Sequence, residues 1–229
     1  MENLVSAEKI RNLFNEISSK YDFMNNVISF GLHNLIKKSA IKKLKIKNGA
    51  KALDLCTGTG DIARHLAERN EIKSVCAVDF SINMFELAKK RNPNKKTEYI
   101  YADCTKLPFQ DNSFDVVTIF FGLRNIEDKT AAIQEIYRVL KTDGVFLHLD
   151  FQNGNKFCDM VFNILAPILG KLFTKSPDAY KYLVRTKKAF YRPDELKQIM
   201  HKHNFKQICR YNFLFSTICA QVFEKNKEI

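Results

Sequence analysis

The chain has 229 residues, 45% of them hydrophobic and 27% charged, enough to bury a full core and unlike a disordered or fibrous chain. Its six cysteines (Cys56, Cys76, Cys104, Cys158, Cys209 and Cys219) are scattered, with no C-x-x-C pair and no histidines at ligand spacing, so no disulfide framework and no metal site is expected and reduced thiols in a cytoplasmic protein fit best. The formal net charge of +12 leaves three explanations: a solvated face, attraction to nucleic acid, or attraction to an anionic membrane surface.

The opening stretch MENLVSAEKIRNLF combines acids with helical spacing and lacks a basic segment followed by an apolar run, so no signal peptide is expected. Residues 1–48 read as helices ahead of the first strand. Within them Ile36, Ala40, Ile41 and Leu44 share a helical face with lysines opposite, in a cluster made of Lys37, Lys38, Lys42, Lys43, Lys45, Lys47 and Lys51. From residue 50 strands and helices alternate: strand 51–55, helix 61–69, strand 74–79, helix 82–91, strand 97–102, strand 114–121, helix 129–140 and strand 144–151. Apolar strands interleaved with helices of this length predict a parallel sheet covered on both faces, and right-handed crossovers then align the strand C-termini on one edge, where ligands bind.

After residue 155 a helical insertion runs to about 188 and a helix follows at 193–203, so 155–203 is expected to form a substrate lid. The runs FKQICRYNF and FSTICAQVFEK are placed to pair as an antiparallel hairpin over 204–225. The expected fold is a single α/β domain: a doubly wound, mostly parallel, Rossmann-like seven-stranded sheet whose cofactor-binding core spans 50–151. The most apolar segment, FCDMVFNILAPILGKLF (157–173), is interrupted by Asp159, Asn163 and Pro167 and falls short of the roughly 20 clean residues of a spanning helix.

The stretch ALDLCTGTGDIARHL carries the first chemical signal. Gly58 and Gly60 sit two apart between a buried strand and a helix, where reversing direction needs only one glycine; two leave room for a ligand against the backbone. The helix that follows opens with free N–H groups aimed at that space. Asp79 closes the second strand some twenty residues on, placed to accept hydrogen bonds from ribose hydroxyls. GTGDIA also fits the dinucleotide pattern G-x-G-x-x-A, so a nicotinamide enzyme stays an alternative. Further acids weigh against it. Asp54 lies in the strand before the turn, placed to fix the loop or meet a ligand amino group, and Asp103 follows the third strand, placed for an adenine amino group, with Cys104 beside it. S-Adenosylmethionine has no pyrophosphate for the helix N-terminus but an amino acid end, a ribose and an adenine, each needing a polar partner.

YDFMNNVISFGLH (21–33), LDLCTGTGD (53–61), LPFQDNSFDVVTIFFGLRN (107–125), EIYRVLKTDG (135–144) and AYKYL (179–183) together resemble the ubiquinone/menaquinone C-methyltransferase family over nearly the whole chain. Y-D-x-M-N and F-G-x-R-N are specific to that family, whereas G-x-G and R-V-L-K occur in many methyltransferases. By matching position the resemblance implies cofactor contacts at Thr59, Asp79, Asp103 and Cys104, with S-adenosylmethionine as cofactor. The implied substrate is a polyprenyl quinol: demethylmenaquinol, 2-polyprenyl-6-methoxy-1,4-benzoquinol or both. The chain departs from the family at Cys56, for a glycine or alanine at the head of the turn, and at Asp150, for a glutamate. It departs again at Ser216, for a glycine, and at Gln221, for a histidine. Phe120 replaces a small polar residue and is not counted as a cofactor contact.

A quinol carbon becomes nucleophilic when the neighbouring hydroxyl loses its proton. Arg124 and Asn125 follow the fourth strand at the edge where the methyl should emerge, and they are the expected catalytic pair, orienting a water or stabilising the developing phenolate. Tyr21, Asp22, Met24 and Asn25 are expected to close over the cofactor. Phe162, Ile164, Leu165, Ile168, Leu169 and Leu172 are expected to line a groove for the prenyl tail, and the basic face to hold the protein peripherally at an anionic membrane. A homodimer is compatible with these features. The alternative, an RNA, DNA or other small-molecule methyltransferase, lacks an N-P-P-Y-type motif, any tryptophan and an Arg-rich segment, so no nucleic-acid partner is expected.

Overall fold

The computed structural model describes residues 7–17, 31–152, 160, 164 and 177–226. Two helices, α1 (Ala7–Ile17) and α2 (His33–Lys42), precede an alternating unit: β1 (Ala50–Leu55), α3 (Asp61–Ala67), β2 (Ile72–Asp79), α4 (Ile82–Arg91), β3 (Thr97–Tyr101) and β4 (Phe114–Phe120). A 3-10 turn (Leu123–Asn125), α5 (Lys129–Val139), β5 (Leu140–Phe151), α6 (Pro177–Ala189), α7 (Pro193–Lys202), β6 (Phe205–Phe213) and β7 (Ile218–Lys225) complete it.

The strands form one sheet in the order β3-β2-β1-β4-β5-β7-β6, with β1 to β5 parallel. The hairpin is inserted with its second strand inward, since β7 runs antiparallel to both β5 and β6. β7 therefore runs against all the others, and β6 is the edge. The burial of the two strands explains that choice: ICAQVFEK is buried almost throughout, as an interior strand must be, whereas FKQICRYNF alternates between covered and exposed positions.

The period of two divides the core into two layers. Leu53 and Leu55 of β1 join Val117, Ile119, Ile133, Ile136, Phe146 and Phe223 on one face, and Ala50 and Ala52 join Ile36, Ile41, Ile62, Leu66, Val75 and Leu147 on the other. α7 opens with Pro193 in its first turn and with the Glu195 carboxylate accepting from Arg192 N and Nε, each at 2.8 Å, and it buries Leu196 and Met200 in the first layer. The end of the segment expected as a lid, 193–203, is thus part of the sheet's cover.

The basic cluster also needs correcting. Lys37 does not join the solvated face: it is buried, and its Nζ lies 3.0 Å from Asp61 Oδ2 at the start of α3. Lys38, Lys42, Lys43, Lys45, Lys47 and Lys51 remain exposed. Among the described residues no helix is long and apolar enough to cross a membrane.

Candidate active site

At the C-terminal edge of the parallel strands a shallow pocket, whose space together with the solvent it opens to is about 350 Å³, is lined by Lys37, Asp54, Cys56 to Thr59, Asp61, Ile62, Phe120 and Phe121. The turn after β1 builds its floor. Gly58 and Gly60 have φ of 58° and 85°, in the left-handed region. Their roles differ. A Cβ on Gly58 would meet nothing within 4 Å, whereas one on Gly60 would stand 2.8 Å from Asn92 Nδ2 and 3.2 Å from the Tyr99 hydroxyl. Gly58 leaves space for a ligand; Gly60 lets the protein close on itself, and Asn92 Nδ2 fastens that closure by donating to the Thr59 carbonyl at 2.8 Å. The Thr59 side chain is buried.

Three N–H groups of the turn are engaged within the protein. Thr57 N donates to Val78 O at 3.0 Å, Gly60 N to Thr57 O at 3.0 Å, and Gly58 N to Asp79 Oδ2 at 2.8 Å. A pyrophosphate cradle would need such donors free. The pocket instead holds two carboxylates, Asp54 and Asp61, and one ammonium, Lys37, already paired to Asp61. That balance suits a ligand carrying positive charge and no phosphate.

Asp54 is the loop's anchor. It accepts from Thr57 Oγ1 at 2.5 Å and from Thr118 Oγ1 at 2.6 Å. Burial pushes its carboxyl up to about 7, against the pull of those two hydroxyls and of Lys37. Asp79 accepts Gly58 N on one oxygen and Ser81 N, at 2.9 Å, on the other; burial raises its pKa, and the backbone donors pull it back. A carboxylate offers about four acceptor sites, so two backbone bonds leave capacity for hydroxyls. α1, with no expected role, is tied beside it: Asn15 Oδ1 accepts from Ser81 Oγ at 2.6 Å, and Asn83 Nδ2 donates to Asn15 O at 3.1 Å.

After β3, Asp103 is exposed and its Oδ1 accepts from Thr105 N at 2.8 Å, while Cys104 is buried. The Cys56 thiol is half-buried and packs against the core layer holding Cys104; contact with Cys104 and burial push its pKa up. Cys56 has a left-handed φ of 53°, and the space its side chain needs comes from Gly122, where a Cβ would fall 2.6 Å from Cys56 Cβ. The glycine of F-G-L-R-N thus accommodates the cysteine of the first turn.

Arg124 turns inward. Its Nη1 donates to Asp150 Oδ1 at 2.5 Å and to the Phe121 carbonyl at 2.7 Å, and the guanidinium lies 5.5 Å from the centre of the Phe151 ring. Both members of the ion pair are buried, so Arg124 does not stand free at the rim as its place after β4 suggested. Asn125 donates to the same Phe121 carbonyl at 3.2 Å and accepts from the Tyr182 hydroxyl at 3.2 Å, which brings α6 against the turn. His148 sits alongside on β5, its pKa lowered to about 3 by burial and by Arg124.

Sequence reasoning missed Lys37, Asp61, Phe120 and Phe121 as pocket walls, and Asp150 as the partner of Arg124. An acid inside the apolar strand GVFLHLDF was the available signal for the last, because a buried carboxylate demands a partner. Tyr21, Asp22, Met24, Asn25, Phe162, Leu165, Ile168, Leu169 and Leu172 lie outside the described residues; Ile164 is exposed.

A model of the ubiE/COQ5 methyltransferase family matches residues 2–225. A protein of Staphylococcus saprophyticus named demethylmenaquinone methyltransferase is 36% identical over 214 residues, covering 90% of this chain and 92% of its own. Its namesake in Staphylococcus aureus strain MRSA252 is 34% identical over 234 residues, covering 99% and 97%. Among solved structures, a phosphoethanolamine N-methyltransferase of Haemonchus contortus bound to S-adenosylhomocysteine superposes with a TM-score of 0.68 at 18% identity, covering 100% of this chain and 62% of that one, a likeness of fold.

Proposed function

Since this chain belongs to the ubiE/COQ5 methyltransferase family, we propose that it transfers the methyl group of S-adenosylmethionine to a ring carbon of demethylmenaquinol, giving menaquinol. It is an S-adenosylmethionine-dependent methyltransferase with the class I fold. The observation that carries the choice of substrate is the name shared by the Staphylococcus relatives, at 34% identity or more over nearly the full length of both chains. The benzoquinol of ubiquinone synthesis is the second acceptor to try.

The pocket's residues fit the cofactor. Gly58 opens the floor, and Asp54 and Asp61 would meet the positive charge, with Thr59 beside them for the amino acid end. Outside the pocket's lining, Asp79, bonded to Gly58 N, would accept the ribose hydroxyls, and Asp103 and Cys104 after β3 would take the adenine end by their match to the family. When bound, the sulfonium supplies a methyl already activated for transfer. The protein's task is then alignment, worth on the order of 7–11 kcal/mol, and removal of the proton from the quinol hydroxyl. Phe120 and Phe121 form an apolar wall on one side of the pocket. Arg124 stays charged at any working pH, but its charge is largely met by the buried Asp150, so toward a developing phenolate it would act through the fixed orientation of that ion pair, with Asn125 and Tyr182 completing the polar group on that side. The ring carbon gains the methyl and loses its hydrogen as a proton. A peripheral seat on the membrane that stores the quinol belongs to the same reading.

The test is incubation with S-adenosylmethionine labelled in its methyl group and reduced demethylmenaquinone. Label on the quinone ring is the expected result. Label on nucleic acid, or none on either quinol, overturns the reading.

A further inference from the structure

The edge that carries the pocket also carries an apolar and basic rim that lies outside the pocket's lining. The β6–β7 hairpin turns through Leu214, Phe215 and Ser216, whose φ values are 46°, 51° and 65°. Three consecutive non-glycine residues in the left-handed region, two of them bulky, are a strained arrangement of the kind found where function requires it. Thr217 holds it, its N and Oγ1 both donating to the Leu214 carbonyl, at 3.0 and 2.7 Å. Leu214 packs inward on the layer that contains Ile36, Ile41 and Leu44, while Phe215 stands 81% exposed. The tip lies at the pocket's edge of the sheet, because Ile218 pairs with Phe151, the last residue of β5, whose ring meets that of Phe121 at 5.0 Å.

α2 flanks the same edge. Its inner side supplies Lys37 to the pocket. Its outer side presents Leu35, 64% exposed, with Lys38 and Lys42 at the i+3 and i+7 positions. Lys43 follows, its Nζ 4.6 Å from the centre of the Tyr211 ring on β6, which brings helix and hairpin together. From Gly31 to Lys51 the chain contains seven lysines and no acid.

We propose that this rim seats the protein on an anionic lipid bilayer, with Phe215 and Leu35 entering the acyl region and Lys38, Lys42 and Lys43 meeting the headgroups. The inference rests on the quinol reading and gives its membrane contact a definite face: the pocket mouth opens toward the layer that holds a prenyl tail. Exposed apolar groups beside a run of cations match hydrocarbon beneath negative headgroups. A second copy, itself at +12, would be repelled.

The protein has no tryptophan, so Phe215→Trp creates a single fluorescent reporter at the tip. Titrated with phosphatidylglycerol/phosphatidylcholine vesicles, its emission should shift to the blue; with phosphatidylcholine alone, or in about 1 M salt where screening acts within about 3 Å, it should not. Each of Lys38→Gln and Lys42→Gln should weaken partition by about fivefold. Phe215→Ser should weaken it too, and should slow methylation of vesicle-embedded demethylmenaquinol while sparing that of a tail-less naphthohydroquinone. No blue shift on anionic vesicles overturns the proposal, as does binding indifferent to these substitutions, a response to single-stranded DNA instead of vesicles, or a Phe215-dependent dimer with no vesicle response. If vesicles bind as expected and neither quinol accepts the methyl, the substrate reading fails and the seat stands. If the quinols are methylated and the vesicles are ignored, the seat alone fails.

Discussion

Arg124 and Asp150 form a buried ion pair with Nη1 and Oδ1 2.5 Å apart, on the turn after β4 and at the end of β5. Around it, Arg124 Nε, Asp150 Oδ2 and both ring nitrogens of His148 have no hydrogen-bond partner among the described residues. The carboxylate's charge is therefore balanced chiefly by one guanidinium. Removing either member leaves an uncompensated buried charge, which costs about 3–5 kcal/mol. Arg124→Ala should thus lose stability as well as turnover, and by itself does not reveal a role in chemistry. Arg124→Lys keeps the charge. Its expected signature is a melting temperature close to that of the parent, unchanged affinity for S-adenosylmethionine by calorimetry, and turnover lower by about 10²-fold from lost placement of the field. Normal turnover in Arg124→Lys would show that the guanidinium does not act on the substrate.

The two turn glycines should respond differently to the same methyl group. Gly60→Ala places Cβ 2.8 Å from Asn92 Nδ2 and 3.1 Å from Ala88 Cβ, so it collides with groups that hold the turn, at a cost of about 1–3 kcal/mol of stability. Gly58→Ala meets open space and bears only the left-handed backbone penalty, about 1–2 kcal/mol, while its methyl enters the room left for the cofactor. Chemical denaturation and cofactor titration on the pair separate the two roles: Gly58→Ala should lose more affinity than Gly60→Ala does per unit of stability lost. Equal affinity losses would remove Gly58 from the binding floor.

How much of this was legible beforehand depends on the range over which each signal acts. β1, β2 and β4 announce themselves as apolar runs, and the observed boundaries differ by two residues or fewer. β5 is different: it begins at Leu140, directly after α5, where strand 144–151 was expected, because the pairing of Leu140 with Phe114 extends the strand through the Lys141–Gly144 turn. Local patterning also found the hairpin. It did not show that β7 enters between β5 and β6, because that choice depends on burial of both faces of ICAQVFEK, one beneath the neighbouring α7 and the other in the layer that holds α2, distant in sequence. Lys37 looked like its neighbouring lysines until Asp61, twenty-four residues on, was brought to it. The fit of Cys56 against Gly122 likewise joins two turns that no periodicity connects.

Asp79 offers the most direct test of the cofactor site. Its oxygens bind Gly58 N and Ser81 N, so Asp79→Ala frees the turn and removes the candidate ribose acceptor together. A hydrogen bond to a charged group is worth about 1.5–3 kcal/mol, so affinity for S-adenosylmethionine should fall by ten- to a hundredfold or more. Asp79→Asn keeps the size but sets an amide NH₂ against one of the two backbone donors, and it should bind almost as poorly. Isothermal titration of both variants checks this, and an unchanged dissociation constant in Asp79→Ala would release Asp79 from the site.

Asp54 predicts how the ligand-free protein depends on pH. Its folded pKa is raised from 3.8 to about 7, burial being the main cause. Between those values the folded chain keeps a proton that the unfolded chain has released, so stability falls as pH rises through that window and levels off above it, by up to the order of 4 kcal/mol. Burial moves Asp79 and Asp150 in the same direction. Asp54→Asn should flatten the profile, although its amide meets the two threonine hydroxyls less well. Positive charge placed in the pocket favours the carboxylate, so binding S-adenosylmethionine at about pH 6 should expel a proton. Calorimetry in buffers of different ionisation enthalpy reads that proton directly. Binding with no buffer dependence, alongside a parent profile as flat as that of Asp54→Asn, would mean that Asp54 is already ionised and serves the fold alone.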